Sequence, residues 1–133
     1  MSYIVEHSSG MKQIVVTQYY TASAWGSGLM DILATPAMIA LAESTCMESV
    51  QGDLEKGMTT VGTKVNIEHL SPTPLGMTVT CKSKLIEIDR RRLVFQVELF
   101  DDKGLIGKGL HERFIVDADA FQQKANAKNE SEE

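Results

Sequence analysis

Residues 35–52 read TPAMIALAESTCMESVQG, and the fold turns on how this stretch is read. The Thr-Pro pair marks a helix start. Threonine is a good N-cap, and proline suits the first helical position because the amide it lacks would be unpaired there. The helix runs to about Gln51, where Gly52 can end it. Positions three and four apart share a helix face. Around Glu43 those neighbours are Ile39, Ala40, Cys46 and Met47, with Pro36 and Val50 a turn further out. All are apolar. The polar side of the helix lies at Ser44, Glu48 and Gln51, with Thr45 and Ser49 beside it. Glu43 is therefore a carboxylate set in the stripe expected to be buried, where it needs a partner, a proton or a cleft.

Outward from the helix the periodicity changes. Residues 12–20 (KQIVVTQYY) are rich in β-branched and aromatic side chains and read as a strand. Residues 21–33 are irregular, with Gly26, Ser27 and Gly28 as breakers. Beyond the helix come four extended segments, at about 58–70, 77–88, 91–101 and 105–117. Ser71-Pro72-Thr73-Pro74-Leu75-Gly76 is a loop, and Asp101-Asp102-Lys103-Gly104 a hairpin turn. A short helix from about Ala118 closes a single domain spanning residues 1–123. Residues 124–133 (KANAKNESEE) form a polar, disordered tail. The order is strand, long helix, then a four-stranded antiparallel meander, an α+β arrangement. One helix covers one face of such a sheet, so the sheet wraps round it or a second copy covers what is left.

The strand at 58–70 offers a second unusual group. Residues two apart share a strand face. Val61, Thr63, Val65, Ile67 and His69 form one set, which should face the helix; Gly62, Lys64, Asn66, Glu68 and Leu70 form the other. His69 thus ends an apolar face, and a sheet-end histidine can meet a helix-borne glutamate in one cleft. His111-Glu112-Arg113 lies in the last strand, where neighbours alternate faces, so it reads as surface ion pairing and not as a cluster. His7 sits near an unanchored terminus and reads as inert.

The 133 residues carry a net charge of -5, against a track for nucleic-acid phosphates. No run approaches the ~20 apolar residues of a membrane span. Residues 1–10 lack a basic start followed by an apolar run, so no secretory signal is expected. Two cysteines, Cys46 and Cys81, have no metal spacing and fit small core residues in a reducing cytoplasm. The seven methionines read as core or pocket lining. No nucleophile elbow, phosphate-binding glycine loop or zinc motif is present, and no cofactor or metal is expected.

Taken in order, residues 35–43 (TPAMIALAE), Gly62-Thr63, His69, residues 73–80 (TPLGMTVT) and residues 107–113 (GKGLHER) resemble the fluoroacetyl-CoA thioesterase-like branch of the hotdog superfamily, over about residues 11–121. The resemblance implies a hotdog fold, a long helix wrapped by a five-stranded antiparallel sheet. It implies a homodimer, which can pair into a tetramer, with active sites at the interface. The implied activity is hydrolysis of an acyl-CoA thioester. The family's catalytic threonine, glutamate and histidine match Thr35, Glu43 and His69, and a glycine beside the site matches Gly62. Spacing by itself leaves Thr35 as a helix cap. Where the fluoroacetate enzyme has a pocket-gating phenylalanine, six residues before the threonine, this sequence has Leu29. A general small acyl-CoA is therefore the expected substrate. The competing expectation is a non-catalytic protein that binds acyl-CoA or a small apolar ligand. A hydratase-type hotdog would carry an Asp/His pairing on its helix, and that motif is missing.

Overall fold

The computed structural model describes Ile4 and residues 6–130. Five strands form one antiparallel sheet: β1 (Ser9–Val15), β2 (Met58–His69), β3 (Thr78–Asp89), β4 (Arg92–Asp101) and β5 (Gly104–Asp117), in the spatial order β1-β3-β4-β5-β2. The sheet curls round a 17-residue helix, α2 (Thr35–Gln51). A four-residue helix, α1 (Ala22–Trp25), precedes it, and α3 (Ala118–Asn126) follows the last strand. The core lies between α2 and the sheet, where Met38, Cys46, Leu85, Leu93, Phe95 and Leu99 are fully buried. On the sheet's other face Lys82, Lys84, Gln96, Glu98 and Lys108 stand exposed. That face is solvated, so a single helix is enough to complete the core.

The four later strands match the segments read from the sequence, and the helix ends at Gln51 as expected. The first strand does not. It runs from Ser9 to Val15 instead of over 12–20, and residues Gln18–Tyr20 make a turn of 3-10 helix. Tyr19 packs edge-on against Tyr20 and Trp25, at 5.0 and 6.3 Å between ring centres, so these strand-forming aromatics build a small cluster instead. The stretch at 21–33 is more ordered than its breakers suggest. Thr21 caps α1 through its side chain, Gly26 ends it with a φ of 72°, and Thr21 and Leu33 form a bridge at the base. Asp31 accepts hydrogen bonds from Ser23 and Gln18, which hold its carboxyl below the usual range. At the other end, α3 includes residues 124–126 of the polar tail, and a 3-10 turn follows at Ala127–Asn129. Residues 131–133 of that tail, and residues 1–3 and 5 of the N-terminal stretch, lie outside the described residues.

Two face assignments are corrected. On α2 the buried stripe is Ala37, Met38, Leu41, Ala42, Thr45, Cys46 and Val50. Thr45 is buried because its hydroxyl returns a 2.7 Å hydrogen bond to the Leu41 carbonyl. Glu43 sits at the rim of this stripe, its side chain 42% exposed, and Ala40 is exposed. On β2 a bulge intervenes: Gly62 pairs with Arg113 and Lys64 with Glu112, leaving Thr63 as the extra residue. A bulge of this kind switches which alternate residues face inward. Before it, Thr60 and Gly62 face the helix; after it, Val65, Ile67 and His69 do. The single five-residue set expected from strict alternation is thus broken at Thr63.

Candidate active site

Thr35 and His69 meet at the N-terminal end of α2. The helix cap is Ala34, whose side chain offers no hydrogen bond, so Thr35 is the first helical residue and not the cap. Its hydroxyl is used elsewhere: Oγ1 lies 2.8 Å from Nδ1 of His69, the last residue of β2. Burial lowers the affinity of the His69 imidazole for a second proton, partly offset by the Ser71 backbone. Its Nε2 is buried and makes no hydrogen bond of good geometry among the described residues. Pro36 contributes no amide and the Ala34 N–H donates to Tyr20, so helix geometry leaves the Thr35 and Ala37 N–H groups without an acceptor in the helix itself.

A cavity of about 400 Å³ opens beside this pair. Its walls include Leu29, Met30, Ile32, Thr35, His69 and Leu70. Leu29 is 99% exposed and forms part of the rim, not the floor.

Glu43 lies further along the helix, in different company. Eight residues of α2 separate it from Thr35, roughly 12 Å of helical rise. The helix is unbroken between them. Glu43 Oε2 stands 3.7 Å from Nη1 of Arg113, a guanidinium that is only 8% exposed. Arg113 also donates from Nε to the Thr60 hydroxyl at 2.7 Å and from Nη2 to the Thr60 carbonyl at 2.9 Å. His111, fully buried, completes the group. The reading of His111-Glu112-Arg113 as surface ion pairing is therefore half corrected. Glu112 does pair with Arg92 on the solvated face, but His111 and Arg113 face inward beneath Glu43. The signal for this was the two-residue spacing of a histidine and an arginine on one strand face.

Gly62 leaves room for this group. A Cβ there would come 2.6 Å from Glu43 Oε2, 3.3 Å from Arg113 Nη1 and 3.3 Å from His111 Cε1. Oε2 ends a flexible, half-exposed side chain, so a methyl group would displace the carboxylate instead of disrupting the core. If the Glu43 carboxylate serves a reaction, Gly62→Ala should lower its kcat by roughly a hundredfold, as small misplacements at a reacting centre do. Its melting temperature should stay within a few degrees of wild type. Paired kinetic and thermal measurements check this; a large loss of stability with the activity kept would contradict it.

The two cysteines are free thiols at the core, away from the cavity. Burial pushes Cys46 up to about 12 and Cys81 up to about 11. Neither should react with a thiol reagent until the protein is unfolded. Labelling with and without denaturant tests this. Among the described residues no helix is long and apolar enough to cross a membrane.

The candidate residues divide, then, into two groups, Thr35–His69 and Glu43–Arg113–His111. Comparison with known proteins places the chain as a whole. Residues 16–119 match the family model of the fluoroacetyl-CoA-specific thioesterase FlK. The fluoroacetyl-CoA thioesterase of Streptantibioticus cattleyicolor is 32% identical over 113 residues, 85% of this chain and 81% of that protein. A FlK variant solved in complex with acetyl-CoA superposes with a TM-score of 0.91 at 26% identity, covering 96% of this chain and 100% of that one. A hot-dog-like protein from Thermanaerovibrio acidaminovorans, 20% identical, shares the fold with a TM-score of 0.87 over 96% of this chain and 94% of its own. The chain belongs to the fluoroacetyl-CoA-specific thioesterase family of hotdog-fold proteins.

Proposed function

We propose that this protein hydrolyses a small acyl-CoA thioester to the free acid and CoA, using Thr35, His69 and Glu43. The observation that carries the reading is the 2.8 Å contact between Thr35 Oγ1 and His69 Nδ1 at the wall of an open cavity. That threonine stands at the first helical position, where its hydroxyl has no capping role. His69, kept neutral by burial, acts as general base toward the Thr35 hydroxyl. The Thr35 oxygen attacks the acyl carbon, the carbon–sulfur bond breaks, and the CoA thiolate takes the proton from His69. Glu43 then removes a proton from the water that cleaves the acyl-threonine ester and passes it to the Thr35 oxygen as the ester carbon–oxygen bond breaks, freeing the acid and restoring the hydroxyl and the carboxylate. The Thr35 and Ala37 amides stabilise the developing oxyanion. Gly62 keeps space for the Glu43 carboxylate, and Leu29 contacts the acyl group at the rim. A leucine there suits a general small acyl chain.

The working unit is a homodimer, free to pair further into a tetramer. Two features support this. β2 is a 12-residue strand at the edge of the sheet, and such edges pair readily with another strand. Its inward face beside α2 is also open, with Val65 40% exposed. An antiparallel pairing of two β2 strands centred near Val65 and Asn66 sets His69 of one copy opposite Gly62 of the other. It thereby brings Glu43 to a Thr35–His69 pair across the interface. Free, buried cysteines suit a cytoplasmic setting.

The test is thiol release from acyl-CoAs of increasing chain length, with light scattering for the assembly. Release should be fastest for the shortest acyl groups. Tight binding of acyl-CoA with no release from any of them would replace this reading with that of a non-catalytic binding protein.

A further inference from the structure

His111 is the one fully buried histidine among the described residues, and the chemistry above does not use it. Its ring bridges two structures. Nδ1 lies 2.8 Å from the carbonyl of Lys64, the residue that follows the β2 bulge. A carbonyl only accepts, so Nδ1 carries the ring proton and Nε2 is left as a lone pair. Nη1 of Arg113 donates to that lone pair at 3.2 Å. The same Nη1 is the nitrogen nearest Glu43. A guanidinium is a planar fork, so fixing its nitrogens fixes the direction in which it presents charge. Thr60 holds two of its nitrogens and His111 the third.

We propose that His111 is a positioning residue: anchored on the bulge at Lys64, it holds Nη1 of Arg113 so that the guanidinium aims the Glu43 carboxylate over Gly62. The proposal rests on the thioesterase reading for its kinetic consequence and on geometry for its existence. The groups facing His111 are Arg113 from its own strand and Glu43 from α2, with the uncharged Thr60 beyond Arg113; Glu112 is adjacent on the other face. Burial is the main influence that keeps the imidazole neutral and the Arg113 charge adds to it, while the Lys64 carbonyl, and after it Glu43 and Glu112, act the other way. A protonated ring would lose the lone pair that holds Nη1 and set two cations side by side.

The test uses the full chain. NMR titration of the histidine rings should show His111 with its neutral proton on Nδ1. Its pKa should rise in Arg113→Gln, where the neighbouring cation is gone, and fall in Glu43→Gln, where the anion is gone. A proton on Nε2, or a pKa unmoved by either change, overturns the proposal. Should Arg113→Gln fail to fold, the tautomer and the Glu43→Gln shift still decide it.

Kinetics supply the functional arm. His111→Leu should lower kcat roughly tenfold with KM within about twofold, while His111→Gln, which keeps an acceptor for Nη1, stays within about threefold of wild type. The acid limb of kcat should be less steep by one proton in His111→Gln. Equal rates in the two variants, or an unchanged limb, would also overturn it. Wild-type protein that releases no thiol from any acyl-CoA would sink the thioesterase reading alone, because the ring titrations need no turnover.

Discussion

Replacing His69 with alanine is expected to lower kcat for acyl-CoA hydrolysis by roughly a thousandfold, the contribution typical of a positioned general base. The fold should survive, since His69 ends an edge strand and its ring is only partly buried. The pH profile carries the sharper test. A base must be neutral to accept a proton. Burial lowers the His69 pKa from its ordinary value, so the ring stays neutral to lower pH than a free imidazole. Activity should therefore hold through neutral pH and fall as pH drops through the lowered pKa of His69, with His111 adding a second proton to that limb, below the ordinary ~6.5 of histidine. Rates measured from pH 5 to 8 check this. A limb centred above the ordinary value would mean that His69 is held as a cation and serves another role.

Glu43→Ala is expected to cost as much, roughly a thousandfold or more in kcat, with KM little changed because the cavity walls are intact. The partition of the site predicts something further. Neither single variant can complete an active site alone, but each supplies what the other lacks. If Glu43 of one copy serves the Thr35–His69 pair of the other, mixing inactive Glu43→Ala and His69→Ala chains under conditions that exchange subunits restores one sound site per mixed dimer. With half the dimers mixed, activity should return to about a quarter of wild type. A mixture as inactive as its components, with subunit exchange confirmed by mass spectrometry, would place Glu43 and His69 in service to the same chain.

The helix and its meander were legible because they rest on local rules. Thr35-Pro36, Gly52 and the Asp-Lys-Gly turn are strong punctuation, and four strands keep their breaks where turn residues stand. The first strand was misread because Tyr19 and Tyr20 favour strands locally, while contact with Trp25 draws them into a turn. Thr35 and Glu43 stood out for opposite reasons. Thr35 looked like a cap, and only the 2.8 Å approach of His69, 34 residues away, shows where its hydroxyl points. Glu43 looked wholly buried, because a helical wheel does not know that β2 is an edge strand leaving that rim open. Arg113 and His111 were hidden by the apparent ion-pair chemistry of Glu112 between them, which holds only on the far face.

Gly62 and His69 are seven residues apart, an odd number. A regular strand would send them to opposite sides of the sheet, one toward the helix and one into solvent. Thr63, the one unpaired residue of β2, resets the parity and turns both inward. A chain lacking Thr63 would keep every candidate side chain and still turn Gly62 and His69 to opposite faces of the sheet. Length, at this position, is as much a part of the catalyst as any side chain.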